Sequence, residues 1–153
     1  MKPNNLKDFR QLSNIVSNNK DLLVQSTKAS FDENAYRSEL WKYSNKAWKK
    51  YKDSKTKDFS TPQYSNNKKS ISYIRTEKNS KKETISSLCV QNGNSIKVVF
   101  ETKDSIQSYL WSSSDKFIYV VTKEWDKNFD SLEKRKRSQF ILRIFPLGSI
   151  PKE

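Results

Sequence analysis

Apolar residues recur at intervals of three and four through the N-terminal third of the chain. Between residues 6 and 24, Leu6, Phe9, Leu12, Ile15 or Val16, and Leu22 or Leu23 follow the spacing of a single helical face, which predicts a first helix. Ser30 followed by Glu33 has the form of a capping box, and Tyr36, Leu40, Tyr43, Ala47 and Tyr51 continue the same spacing on a second helix. The connection between them is short, so residues 1–52 are expected to form an antiparallel helix pair.

Residues 53–70 turn polar and basic, with Ser60-Thr61-Pro62 and Ser65-Asn66-Asn67-Lys68-Lys69, and read as a linker or exposed loop. From residue 71 the period falls to two, the signature of side chains alternating between sheet faces. Ile71–Arg75, Ile85–Val90, Ile96–Phe100, Phe117–Val121 and Phe140–Phe145 are the expected strands. Asn92-Gly93, between Leu88-Cys89-Val90 and Ile96, predicts a tight hairpin on a type I′ turn, which needs positive φ at both central residues. Asp104–Trp111 reads as a short helix, and residues 126–137 as a charged helix or long loop. The expected fold is α+β: the N-terminal helix pair packs on one face of a mainly antiparallel sheet of about five strands. On this reading the β-rich part, 71–153, forms one compact domain with 1–52.

Composition changes this picture at a few points. A hydrophobic share of 33% would suit a disordered chain, but 4 Trp, 7 Tyr and 8 Phe argue for a folded core. The absence of His excludes Ser-His and Cys-His nucleophile systems within the chain. Cys89 is the only cysteine, which excludes an internal disulfide and thiolate zinc sites, and its apolar neighbours suggest a small buried hydrophobe. With only 2 Gly there is no phosphate-cradling loop. No cofactor or metal is expected. No apolar run approaches the ~18 residues of a membrane span, and Met1-Lys2-Pro3-Asn4-Asn5 does not lead into a secretory signal, so the expectation is a soluble intracellular chain.

Lys plus Arg number 30 against 17 Asp plus Glu, a net charge of +13. Lys42, Lys46, Lys49, Lys50 and Lys52 are interleaved with Trp41, Tyr43, Trp48 and Tyr51, a combination suited to phosphate neutralisation and base stacking. The plainer alternative is an aromatic core with a solvated lysine face. Lys134, Arg135, Lys136 and Arg137 form a second group, read as a solvated loop, a phosphate contact or an import signal. Arg75 and Arg143 add guanidinium forks that bind phosphate bidentately. Arg143 is expected with Gln139 on an exposed sheet face, opposite Leu142 and Ile144.

These features favour a small nonenzymatic module that binds nucleic acid, RNA or single strands above duplex DNA, through backbone phosphates. The alternative is a protein-interaction subunit or inhibitor that meets an acidic protein partner, because the same field steers both. Two enzymatic readings stand behind these. One is a His-independent RNase using Tyr73, Arg75, Tyr119 and Arg143. The other starts from Glu101-Thr102-Lys103, which resembles the strand-end Glu-x-Lys half of metal-dependent nucleases of the restriction-endonuclease type. That resemblance implies a divalent cation shared with an upstream Asp and a Lys assisting water attack. The preceding hairpin strand carries no Asp; Glu83 stands in its region and Asp58 lies far upstream.

Overall fold

The helical spacing of the N-terminal third is carried by strands. In the computed structural model, which describes residues 10–52, 56–124 and 139–148, every regular element is a β-strand. β1 (Arg10–Ser17), β2 (Leu22–Ser30), β3 (Ala35–Ser44) and β4 (Ala47–Lys52) form a first antiparallel sheet in chain order. β5 (Lys57–Tyr64), β6 (Ser70–Lys78), β7 (Thr84–Asn92) and β8 (Ser95–Thr102) form a middle sheet of the same kind. β9 (Ser105–Trp111), β10 (Phe117–Glu124) and β11 (Gln139–Pro146) form the last.

The α+β expectation is therefore corrected: neither N-terminal helix forms, and Asp104–Trp111 is strand and not helix. The physical reason lies in β3. Leu40 is buried against the middle sheet, whereas Trp41 and Tyr43 lie on the opposite face, beside Glu39 and Trp48. Apolar residues on both faces of a strand generate intervals of three and four without a helix. The five expected strands fall within β6, β7, β8, β10 and β11, but two sheets divide them. β5 lies inside the stretch read as linker.

Tight turns fix the registers. Asn45 and Lys46, both with positive φ (51° and 61°), close the β3–β4 hairpin, the backbone that a type I′ turn requires. β7 and β8 are joined through Gly93 and Asn94, with Asn92 paired to Ser95 and positive φ (56°) at Gly93 only. That is the II′ arrangement, displaced by one residue from the expected Asn92-Gly93 centre. At the same end of the stack, Asp115 takes hydrogen bonds from the backbone N–H groups of Asn66 (2.8 Å) and Asn67 (2.9 Å) and from the Asn66 amide (2.8 Å). The β9–β10 turn is thereby tied to the β5–β6 turn.

The middle sheet is covered on both sides. Tyr73 and Cys89 pack with Leu23, Leu40 and Phe59 in one core, between the first and middle sheets. Their chain neighbours Ile74, Leu88 and Val90 pack with Ile106, Tyr109, Ile118 and Val120 in a second core, between the middle and last sheets. Strand alternation thus feeds two cores from one run, which explains the nearly continuous apolar character of β7. A bulge in β5 joins all three layers. Thr61, held at φ 51°, donates its N–H to Gln25 Oε1 of the first sheet (3.0 Å) and accepts the Tyr109 hydroxyl of the last, while Gln63 Nε2 donates to the Tyr109 carbonyl (2.9 Å).

Candidate functional site

A cleft of about 520 Å³ lies at one end of the first and middle sheets, lined by Tyr36, Arg37, Asp58, Thr76, Glu77 and Lys78, among others. Its polar walls come from strand ends. Arg37, near the start of β3, reaches across to Asp58 on β5 (Nη1–Oδ2 2.9 Å) and back to Glu33. Asp58 also accepts the backbone N–H of Ser38 (2.9 Å), which locks β5 to the first sheet. Glu77 is held by Lys57 (2.9 Å) and Arg75 (3.1 Å). The hydrogen bond from Arg37 is the main reason that Glu33 titrates below its ordinary value, and the same bond raises Arg37. Each of the three carboxylates is engaged by a cation, and Tyr36 stands at the mouth, 77% exposed. Such a cleft offers ordered charges and an aromatic edge.

A second polar cluster lies on the first sheet's outer face. Glu39 is 4% exposed and takes Arg10 (3.1 Å), Lys28 (3.2 Å) and the Trp41 indole N–H (3.1 Å), with Lys50 at 3.8 Å. Burial, the largest influence, pushes its carboxyl up; the hydrogen bonds from Lys28 and Trp41 and the charges of Lys28 and Lys50 outweigh it, leaving the carboxyl below its ordinary value. Arg10 and Lys50 also lie over the Trp41 ring, at 5.7 and 5.8 Å.

The lysines expected to act together are dispersed. Lys42 is paired with Asp21 (2.8 Å), and Lys49 lies opposite it in the ladder. Lys46 is in the β3–β4 turn, and Lys50 faces Glu39 on the other side of the sheet. Lys52 lies over the rings of Tyr51 and Tyr73, at 5.2 and 5.5 Å. The aromatics divide too: Trp48 is half exposed and packs on Tyr43. Arg75 is bound to Glu77, and Lys134, Arg135, Lys136 and Arg137 lie outside the described residues. Arg143 inverts its expected placement. It is half-buried, with its guanidinium 5.8 Å from the Phe100 ring, while Leu142 and Ile144 are exposed.

Neither enzymatic grouping is brought together. Tyr73 is buried in the first seam, where burial raises its hydroxyl to about 12, whereas Tyr119 lies on the outer face of the last sheet. Glu101 accepts a hydrogen bond from Ser87 Oγ (3.1 Å), and Lys103 pairs with Glu83 (3.0 Å), so the two engage different partners. Sequence reading missed the cleft because Arg37, Asp58 and Glu77 come from three strands in two sheets; a strand assignment for residues 35–44 was the only signal that would have aligned them.

Neither a protein-family model nor a curated protein matches the sequence. Solved structures do. An acylaminoacyl peptidase in complex with Z-Gly-Gly-Phe-chloromethyl ketone superposes with a TM-score of 0.65 at 23% identity, over 80% of this chain and 19% of the peptidase. The β-propeller domain of the Trilobed protease from Pyrococcus furiosus, described as having an open velcro topology, gives 0.58 at 19% identity, over 90% of this chain and 44% of that one. A prolyl endopeptidase gives 0.55 at 17% identity, over 93% and 21%. The chain spans about a fifth of the two peptidases and less than half of the propeller domain. Its fold is that of consecutive β-propeller blades, each a four-stranded meander in the first two sheets.

This likeness corrects the reading as a small nucleic-acid-binding α+β module: the neighbours are peptidase propeller domains, and the lysines of residues 42–52 do not share one face. The nonenzymatic reading is corrected with it, since the fold is one that occurs within peptidase chains.

Proposed function

We propose that the chain is a propeller part of a peptidase-type protein that receives peptide at the cleft between its first and second blades, serving hydrolytic residues outside these 153. The observation that carries this is the succession of three antiparallel sheets, stacked face to face in chain order, as in the propeller domains of peptidases. The chain holds no His, so a Ser-His nucleophile system has to be completed elsewhere. The cleft fits a peptide: paired cations and carboxylates face the backbone and termini, and Tyr36 offers a ring to an apolar side chain. The fold carries no membrane-crossing helix among its described residues, and we take the protein to act in solution.

Titrating the chain with the blocked peptide Z-Gly-Gly-Phe while following backbone amide resonances tests this. Shifts confined to residues around Tyr36, Arg37, Asp58 and Thr76, without hydrolysis and weakened by Arg37→Gln, are expected. Shifts elsewhere, or none at millimolar peptide, overturn the assignment of the cleft. Hydrolysis by the chain itself overturns the assignment of catalysis to residues outside it.

A further inference from the structure

One lysine is turned into the first seam by an irregularity of its strand. Leu40 pairs with Lys52 and Trp41 with Lys50, so Tyr51 is the extra residue of a bulge in β4. Without the bulge, Lys52 would share the outward face of Trp48 and Lys50. With it, Lys52 stands opposite the fully buried Leu40, half-buried itself, and Tyr51 packs on the same core. Its Nζ lies 5.2 Å from the Tyr51 ring centre and 5.5 Å from that of Tyr73.

What surrounds this amine does not balance a positive charge. Lys28, Lys42, Lys50, Lys57 and Lys103 each lie within ion-pair distance of a carboxylate, whereas none among the described residues lies that close to Lys52. Tyr51, Tyr64, Tyr73 and Cys89 all titrate above their ordinary values, chiefly because they are buried, so all four are neutral near pH 7. The charged groups that share the surroundings of Cys89 with Lys52 are Arg75, Lys57 and Glu77, and the two cations already hold Glu77. An ammonium that is part-buried without a counter-charge favours its neutral form. Burial accordingly pushes Lys52 below the ordinary lysine value, opposed in smaller part by Cys89. The ring faces attract an ammonium, but both stand close to the ~6 Å limit of that attraction.

We propose that Lys52 is a modification site, a nucleophilic amine at the rim of the first seam that takes small aldehydes as imines. A desolvated lysine free of carboxylates is the form in which this side chain acts as a nucleophile. The nitrogen lone pair adds to the carbonyl carbon, the carbonyl oxygen takes up a proton, and loss of that oxygen as water leaves a C=N bond to Nζ. The inference stands apart from peptide recognition, and its failure leaves the cleft as described.

Reductive alkylation of the 153-residue chain tests it, with acetaldehyde as the electrophile and cyanoborohydride as the hydride donor that traps the imine as a secondary amine. Peptide mass spectrometry follows each site, and the exposed Lys49 on the same strand serves as the internal standard. At neutral pH Lys52 is expected to react roughly tenfold faster than Lys49, the ratio that a pKa about one unit lower gives. Its rate should rise at lower pH than that of Lys49, and the difference should vanish in urea, where the seam is gone. Tyr51→Glu sets a carboxylate beside the amine and should bring Lys52 to the rate of Lys49. Labelling of Lys52 no faster than that of Lys49, coincident pH profiles, a difference that persists in urea, or a rate unmoved by Tyr51→Glu with the circular dichroism spectrum intact each overturn the proposal.

Discussion

Thr61 holds a β-branched residue in the left-handed region, a conformation that costs on the order of 1–3 kcal/mol and persists only where neighbours over-determine it. The neighbours are Gln25 and Tyr109, one from each flanking sheet. Tyr109→Phe removes one of these ties and leaves a carbonyl unpaired in a buried setting, so unfolding free energy in urea should fall by about 1–2 kcal/mol with the m-value unchanged. Acid acts on two other residues. Asp115, like Glu39, titrates below its ordinary value: burial pushes its carboxyl up, but the N–H groups of Asn67 and Asn66, the Asn66 amide and the Lys68 charge outweigh it. Both carboxylates contribute stability that is complete above the unfolded-chain value of about 4 and is lost as pH falls through their lower folded values. Thermal melts of Asp115→Asn should therefore show lower stability than the parent at neutral pH and a shallower loss on acidification.

Turns decide the elements. At Gly93 no atom lies within 4 Å of an added Cβ, so the cost of Gly93→Ala is backbone strain alone, about 1 kcal/mol by chemical denaturation. Lys46, at φ 61°, pays the corresponding penalty already, and Lys46→Gly should recover roughly 0.5–1 kcal/mol in the same measurement. The same turns mark how far the fold was legible. Gly93 announced its hairpin because glycine next to alternating apolar residues has few other uses. Ser44-Asn45-Lys46 announced nothing, since lysine at positive φ follows no propensity rule, and the spacing of Tyr36, Leu40 and Tyr43 pointed to a helix. Apart from β9, whose residues read as a short helix, the strands from β6 onward were legible through β-branched residues and period two. Their division into separate sheets was not, because Ile74 and Tyr73 look alike in a list of apolar positions although they face different cores. Nor was the cleft legible: Arg37 and Asp58 meet only through cross-sheet packing.

Among the described residues the molecule is a short stack in which the first sheet packs on the middle one and the middle on the last, so the stability of this part approximates a sum over two seams. Cys89 sits in the seam between the first and middle sheets, fully buried, with burial pushing its thiol up despite nearby Arg75 and Lys52. Alkylation by iodoacetamide should be negligible in the folded chain, and its slow rate, read by mass spectrometry, should track the opening of that seam. The alternation of β7 has a further consequence during synthesis. A ribosome releasing the N-terminus first lets Cys89 dock on Leu23 and Leu40 as soon as the middle sheet emerges, but Leu88 and Val90 wait for Ile118 and Val120. Through that interval the nascent chain displays an unpacked apolar sheet face, and the demand for a holdase chaperone should peak there and fall once β10 clears the exit tunnel.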